Sequence, residues 1–351
     1  MHLRPRTSPT PPEPARGAEL TISDLRVEFP GMPAGGTPPV DGLDLTVGPG
    51  QIVALVGESG SGKSLTALAI TGLLPPGARI TAGHVTLDDE DLAGCSDRRM
   101  NHIRGNRVAM LFQQPKATLD PTATVCGQVA EPLWLHRGLS CRQARARVAG
   151  LLRDVGIADP ERVAGSYPHQ LSGGMAQRVM IAAALAGDPG LLIADEPTTA
   201  LDVTVQAQIL ALLRRKQRER GLSVLLITHD LGIVASLADR VAVMYAGRIV
   251  EDGTAREIFA DPRHPYTKAL LRASLLRSED GRLYSIAGST AQSRSLDHGC
   301  RFRPRCSVAE ELGISRECEN AEPTLHSCGD DHNSRCWAPP TPDAHERMAG
   351  V

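Results

Sequence analysis

Eight consecutive residues constrain this chain more than any others: Gly57, Glu58, Ser59, Gly60, Ser61, Gly62, Lys63 and Ser64. They fit G-x-x-x-x-G-K-[ST] and stand between a strand signal over residues 51–56 and a helical stretch over residues 64–74. Strand, glycine loop and helix in that order is the context that gives the pattern physical meaning. The glycines let the backbone curl so that successive N–H groups point at phosphate oxygens. The helix beginning near Gly62 adds the positive end of its dipole. Lys63 can reach the β- and γ-phosphates, and the Ser64 hydroxyl can ligate Mg²⁺.

The surrounding pattern sets the fold class. Strand signals recur over residues 20–29, 43–47, 108–112, 191–194 and 223–228, while the Gly- and Pro-rich residues 30–39 read as a loop. Pro75, Pro76 and Gly77 are expected to stop the helix after the glycine loop. Val205, Ile209, Leu212 and Leu213 recur at helical spacing, with Gly221 placed as a C-cap. Strands alternating with helices imply an α/β fold with a parallel, doubly wound sheet. Residues 110–185 carry few strand signals and look helical at 144–152 and 175–186, so they read as a helical insertion.

A second chemical element follows the strand that begins at Leu191. It ends in Asp195 and Glu196, and in a parallel sheet strand C-termini line the ligand crevice. Asp195 there can hold Mg²⁺ directly or through water, and Glu196 can act as general base on an attacking water.

Composition narrows the partners. Aromatic residues make up only 3% of the chain, which argues against stacking platforms for nucleic acid. The 38 basic and 40 acidic residues nearly balance, so no polyanionic partner is implied. No apolar run approaches the roughly 18 residues needed to span a bilayer. Residues 1–17 hold five prolines and three arginines without an apolar stretch, and read as a disordered tail rather than a secretory signal. The chain is expected to be cytoplasmic, with any link to a membrane made through a partner. Five of its eight cysteines lie between Cys300 and Cys336. In a cytosolic chain such clustering suggests metal binding more than disulfides. Residues 278–351 are otherwise poor in apolar periodicity and need a staple to fold.

The run Leu171, Ser172, Gly173, Gly174, Met175, Ala176, Gln177 and Arg178 resembles the signature of the ATP-binding cassette ATPases. Other elements of that family occur in order. Gln113 looks like the Q-loop glutamine, Ala200, Leu201 and Asp202 like the D-loop, and His229 like the switch histidine. The resemblance spans roughly residues 20–255. It implies a P-loop NTPase (RecA-like) core with a helical subdomain over about 111–185 and a Cys-rich C-terminal extension. It implies that Gln113 joins Ser64 and Asp195 around Mg²⁺, and that His229 stabilises the γ-phosphate during hydrolysis. Ser172, Gly173 and Gly174 would contact the ATP held by an opposed subunit, so that two cassettes sandwich two ATPs. An aromatic near the first strand normally stacks on adenine in this family; Phe29 is the candidate, and a place in the core is the other reading of it.

The stretch from Asp195 to Gln208 resembles the dipeptide/oligopeptide and nickel importer ATPases. So do His264, Pro265, Tyr266 and Thr267, and the run from Gly299 to Cys306. In that group the extension carries four cysteines that in some members hold an iron–sulfur cluster. The matching residues are Cys300, Cys306, Cys318 and Cys336, with Cys328 a further candidate for the fourth ligand; the set would suit a [4Fe–4S] cluster or zinc. The resemblance implies an ATP-hydrolysing subunit of an importer on the cytoplasmic face of the membrane. Its partners would be a second, different ATPase subunit or a second copy of this one, two integral membrane permeases and an extracytoplasmic solute-binding protein. Peptides are the expected cargo, with nickel, glutathione or another small solute as alternatives. A cassette acting on DNA or the ribosome is the reading from another class, and a degenerate regulatory cassette a third. The chain divides into a tail over 1–17, the ATPase domain over 18–262, the extension over 263–337 and a second tail over 338–351.

Overall fold

The computed structural model describes residues 17–32, 36–199, 201–274, 278–279, 282–283, 285–294, 296, 298–329 and 331–338. The expected tail over 1–17 falls outside this set in all but its last residue, as do Ala200 of the D-loop and residues 339–351 of the second tail.

The chain opens with β1 (Leu20–Glu28), β2 (Val40–Val47), β3 (Ile52–Val56) and helix α1 (Lys63–Ile70). Next come β4 (Arg79–Leu87), β5 (Glu90–Asp91), α2 (Asp97–Ile103) and β6 (Val108–Leu111). Five helices follow without a strand: α3 (Pro115–Thr118), α4 (Val125–His136), α5 (Cys141–Asp154), α6 (Pro160–Gly165) and α7 (Gly173–Ala186). Strand and helix then alternate through β7 (Leu191–Asp195), α8 (Val203–Arg220), β8 (Ser223–Ile227), α9 (Leu231–Leu237) and β9 (Arg240–Tyr245). The chain continues with β10 (Arg248–Thr254), α10 (Ala255–Ala260), α11 (Pro265–Ser274), β11 (Ser278–Glu279), β12 (Arg282–Leu283) and α12 (Thr290–Arg294). Two short strands close it, β13 (His326–Ser327) and β14 (Asn333–Ser334).

The main sheet has the order β13-β14-β10-β9-β3-β8-β7-β6. The pairs β6/β7, β7/β8, β8/β3 and β3/β9 are parallel, whereas β9/β10, β10/β14 and β13/β14 are antiparallel. All five residues of β3 are buried. Val53 and Leu55 face the core shared with the smaller antiparallel sheet β2-β1-β4-β5, while Ala54 and Val56 face the core under α9 and the C-terminal segment. A central strand covered on both faces reads as an unbroken apolar run, and that is what Ile52 to Val56 show.

Local chemistry sets the element ends. Helix α1 stops at Ile70, earlier than the prolines suggest. Leu73 N–H bonds Leu68 O and Gly72 N–H bonds Ala69 O, with Gly72 at φ +63°. This is a Schellman closure on a left-handed glycine, complete before Pro75 is reached. Ser172 caps α7 through Met175 N–H, and Asp202 caps α8, which ends on Gly221 in the left-handed conformation. The C-terminal segment is tied into the core rather than set apart from it. β14 pairs with β10 through Glu251–Ser334 and Asp252–Asn333, and His332 bonds the buried Glu251 carboxylate at 2.7 Å. Among the described residues no helix is long and apolar enough to cross a membrane.

Candidate functional site

The parallel strands deliver the polar residues to one end of the sheet. β3 leads into the glycine loop, β7 into Asp195 and Glu196, β8 into His229, and β6 into Gln113. A cavity of about 340 Å³ lies there, lined among others by Ser59, Gly60, Lys63, Ser64, Gln113 and Glu196. Gly62, at φ +115°, passes so close to Pro39 O that a Cβ would collide with it; glycine is required where the loop turns into α1.

Lys63 is 7% exposed and its ammonium donates to Gly57 O at 2.7 Å, Glu58 O at 2.9 Å and Ser61 Oγ at 3.3 Å. Burial pulls its pKa down, while the charges of Glu196, Asp195 and Glu58 work against that. Asp195 is 7% exposed, and burial raises its pKa, helped by the charge of Glu196 and opposed by the Ser64 hydroxyl and Lys63. Its Oδ1 is buried with no hydrogen-bond partner. A desolvated carboxylate oxygen left unpaired beside a serine hydroxyl is the donor set a hard, oxygen-seeking cation requires. Ser64 and Asp195 therefore fit Mg²⁺.

Glu196 sits at φ +48°, a strained position for a residue with a side chain. It is held by Gln113 Nε2 at 2.8 Å, Thr199 Oγ1 at 2.7 Å and His229 Nδ1 at 2.9 Å. Burial favours its neutral form, but the bonds from Thr199, His229 and Gln113 outweigh burial and hold the carboxyl below its ordinary pKa. An ionised carboxylate at the mouth of a phosphate cavity can orient and deprotonate a water.

Ser172, Gly173 and Gly174 do not line this cavity. They form the start of α7 against Leu201 and Val205; a Cβ on Gly174 would come within 2.8 Å of Val205 Cγ1. Phe29 lies one residue past β1, 38% exposed, and does not line the cavity either. Three residues at or near the site escaped sequence reasoning. Thr199 bonds Glu196, Arg294 lines the cavity with Nη2 2.5 Å from Gly60 O, and Arg305 pairs with Glu58. Arg305 lies inside the run from Gly299 to Cys306, and nothing in its spacing sets it apart from an ordinary surface arginine.

The cysteines are gathered but not joined. Cys300 and Cys318 share a side-chain hydrogen bond, and Cys306 and Cys336 lie near enough to the pair to affect its titration. Cys328 lies instead near Arg263 and Glu251. The Cys318 contact and then burial hold Cys300 protonated, and burial pushes Cys336 up to about 11. Among the described residues no three His, Cys, Asp or Glu side chains are grouped to hold a metal ion. The expected four-sulfur site is thus not formed at ligation distance.

A model of the ABC transporter family matches residues 40–199, and one for the oligopeptide/dipeptide transporter C-terminal region matches residues 250–312. The oligopeptide transport ATP-binding protein AppD of Bacillus subtilis is 46% identical over 302 residues, covering 86% of this chain and 90% of AppD. The chain belongs to the ABC transporter family. The dipeptide transport ATP-binding protein DppD of Haemophilus influenzae is 45% identical over 324 residues, covering 92% of this cassette and 96% of DppD. Among solved structures, the ATP-binding cassette MJ0796, a post-hydrolysis dimer bound to ADP and Pi, aligns with a TM-score of 0.60 at 29% identity. The alignment covers 68% of this cassette and 99% of that chain. As an ABC ATPase, the cassette binds and hydrolyses ATP.

Proposed function

We propose that this cassette powers import of di- and oligopeptides across the cytoplasmic membrane, working from its cytoplasmic face. The observation that carries the catalytic part is the contact of Gln113 and His229 with Glu196 beside Lys63 and Ser64. In this reading the loop from Gly57 to Ser64 cradles the phosphates and Lys63 grips the β- and γ-oxygens. Ser64, Asp195 and Gln113 would hold Mg²⁺, which would neutralise phosphate charge. Glu196 takes the proton of the attacking water, and His229 steadies the transferred γ-phosphoryl. Ser172, Gly173 and Gly174 serve the ATP of a second ATPase subunit, and that subunit's signature completes the site here. Phe29 is the stacking partner proposed for adenine. Residues 18–262 are the ATPase domain and residues 263–337 the extension.

The peptide cargo rests on the names of the relatives and on the match to the oligopeptide/dipeptide C-terminal region. Two permeases and a solute-binding protein complete the assembly. A cavity of about 800 Å³ lined by Leu73, Met110, Phe112, Trp134 and Met180 suits a permease segment, because Phe112 is the neighbour of Gln113. Reconstitution of the cassette with its permeases and binding protein tests the reading. ATP turnover should rise with di- or oligopeptides; stimulation by nickel or glutathione alone would overturn the cargo.

The cysteine set is proposed as the place where an iron–sulfur or zinc site would form. Its support is the gathering of Cys300, Cys306, Cys318 and Cys336 away from Cys328, although the thiols would have to close in further. Anaerobic purification with a visible spectrum and metal analysis decides it; a colourless, metal-free protein rejects it.

A further inference from the structure

The phosphate loop is gripped from outside the ATPase core. Arg305 places Nη1 2.7 Å from Glu58 Oε2 and Nη2 2.9 Å from Glu58 Oε1, a two-pronged ion pair. Its side chain is only 2% exposed. The rest of the guanidinium is fixed as well: Nε donates to Ala287 O at 2.7 Å, and the group lies over the Tyr245 ring. Tyr245 ends β9, which pairs with β3, the strand that feeds the loop. The Glu58 N–H donates to Tyr266 Oη at 2.8 Å, and Arg294 Nη2 donates to Gly60 O. Glu58 O in turn accepts from Lys63 Nζ at 2.9 Å. The first half of the loop is therefore held by Arg305 at the Glu58 carboxylate, by Tyr266 at the Glu58 N–H and by Arg294 at Gly60 O, all three of which follow β10 in the chain.

We propose that Arg305 is a positioning residue for ATP binding, which holds the phosphate loop in its cradling shape through the Glu58 carboxylate. The physical reason is preorganisation. Loop N–H groups bind phosphate well only when already aimed inward, and a loop that must be ordered at binding loses part of its affinity to that ordering. A two-pronged arginine–carboxylate pair fixes direction as well as distance, which a single lysine bond does not. Cys306 follows Arg305 directly, so the packing of the cysteine region bears on the loop through one residue.

This inference rests on the reading of the loop as the ATP site, and Lys63→Ala keeps the two apart: if that variant binds ATP as wild type does, the site reading fails. The test of Arg305 is a double-mutant cycle in the full chain with Glu58→Gln and Arg305→Ala, read by ATP affinity and by KM and kcat of the assembled transporter. Glu58→Gln preserves shape and removes the charge, and Arg305→Lys keeps charge without the fork. The expected result is an ATP KM raised about tenfold in either single variant, equivalent to about 1.4 kcal/mol, with kcat changed less than threefold at saturating ATP. The double variant should be no worse than the poorer single one, and Arg305→Lys should recover part of the loss. Should Arg305→Ala fail to fold for want of a partner to its buried neighbours, Glu58→Gln decides alone. An unchanged KM in Glu58→Gln, or additive effects in the cycle, would overturn the proposal.

Discussion

Nδ1 of His229 lies 2.9 Å from Oε1 of Glu196, although the two residues are 33 positions apart in the chain. They meet because β7 and β8 are parallel neighbours in register, Asp195 opposite Ile227, so both strands release their polar residues at the same end of the sheet. Gln113 enters from β6 on the other side of β7 and reaches the same carboxylate.

Glu196 is held ionised by its three donors, and this makes its pH behaviour predictable. A lowered pKa means that hydrolysis keeps its base until the pH falls below the ordinary glutamate range near 4.3. Thr199→Ala removes one donor to the ionised form, so the pKa rises and the acid limb of the kcat profile moves to higher pH. A pH–rate profile of the variant transporter checks the direction; an unmoved limb would separate Thr199 from the base.

Lys63 makes three bonds across its own loop and is almost fully buried. Lys63→Ala removes both the phosphate charge partner and this brace. Charged hydrogen bonds of this kind contribute about 1.5–3 kcal/mol, so ATP affinity of the full chain should fall about 10- to 100-fold, read by titration with a fluorescent ATP analogue.

The signature residues pack against the start of α8 and leave the phosphate cavity of their own chain untouched. Gly174→Val would drive a side chain into Val205. If the composite site proposed above uses this turn, ATP binding by the single cassette should stay within about twofold, while turnover of the assembled transporter falls more than about tenfold. Equal loss of both would place Gly174 in its own chain's site.

How much of this was legible in the chain depends on how far apart the partners lie. β3, β7 and β8 are covered on both faces and show as apolar runs, and β3 and β7 are followed by residues whose chemistry singles out Lys63, Asp195 and Glu196, whereas His229 after β8 was marked by the family resemblance. Gln113 and the signature needed the family resemblance. β4 was missed because the first six of its nine residues are exposed or half-buried, so its first buried residue, Val85, comes too late for the alternation to register as a strand. The early end of α1 was masked by Pro75 and Pro76, although Gly72 had already closed it. Glu58 and Arg305 are 247 residues apart, and each alone looks like an ordinary surface charge. No periodicity links them; only the folding of the C-terminal segment over β9 does.

His264 ties that segment down and makes it acid-sensitive. Its ring is 2% exposed beside Glu251, Arg335 and Phe302, and its Nδ1 accepts the Tyr266 N–H at 3.0 Å. Burial pushes its pKa down to about 4. Between about 6.5 and 4 the unfolded chain binds the proton that the folded chain refuses, so this contribution is full above 6.5 and is lost as pH falls through that window. The loss reaches about 3 kcal/mol at most. Denaturant melts at pH 7 and pH 5 should show it, and His264→Asn, which offers an acceptor that does not titrate, should flatten the difference.

The most direct measurement is ATP binding and ATP turnover of the Glu196→Gln cassette in the full transporter. Glutamine keeps the shape of the side chain and one accepting oxygen but cannot take a proton. ATP affinity should stay within about threefold of wild type while turnover drops by about 10²- to 10⁴-fold, the usual share of a general base. Turnover equal to wild type with binding intact would contradict the account of how this cassette hydrolyses ATP.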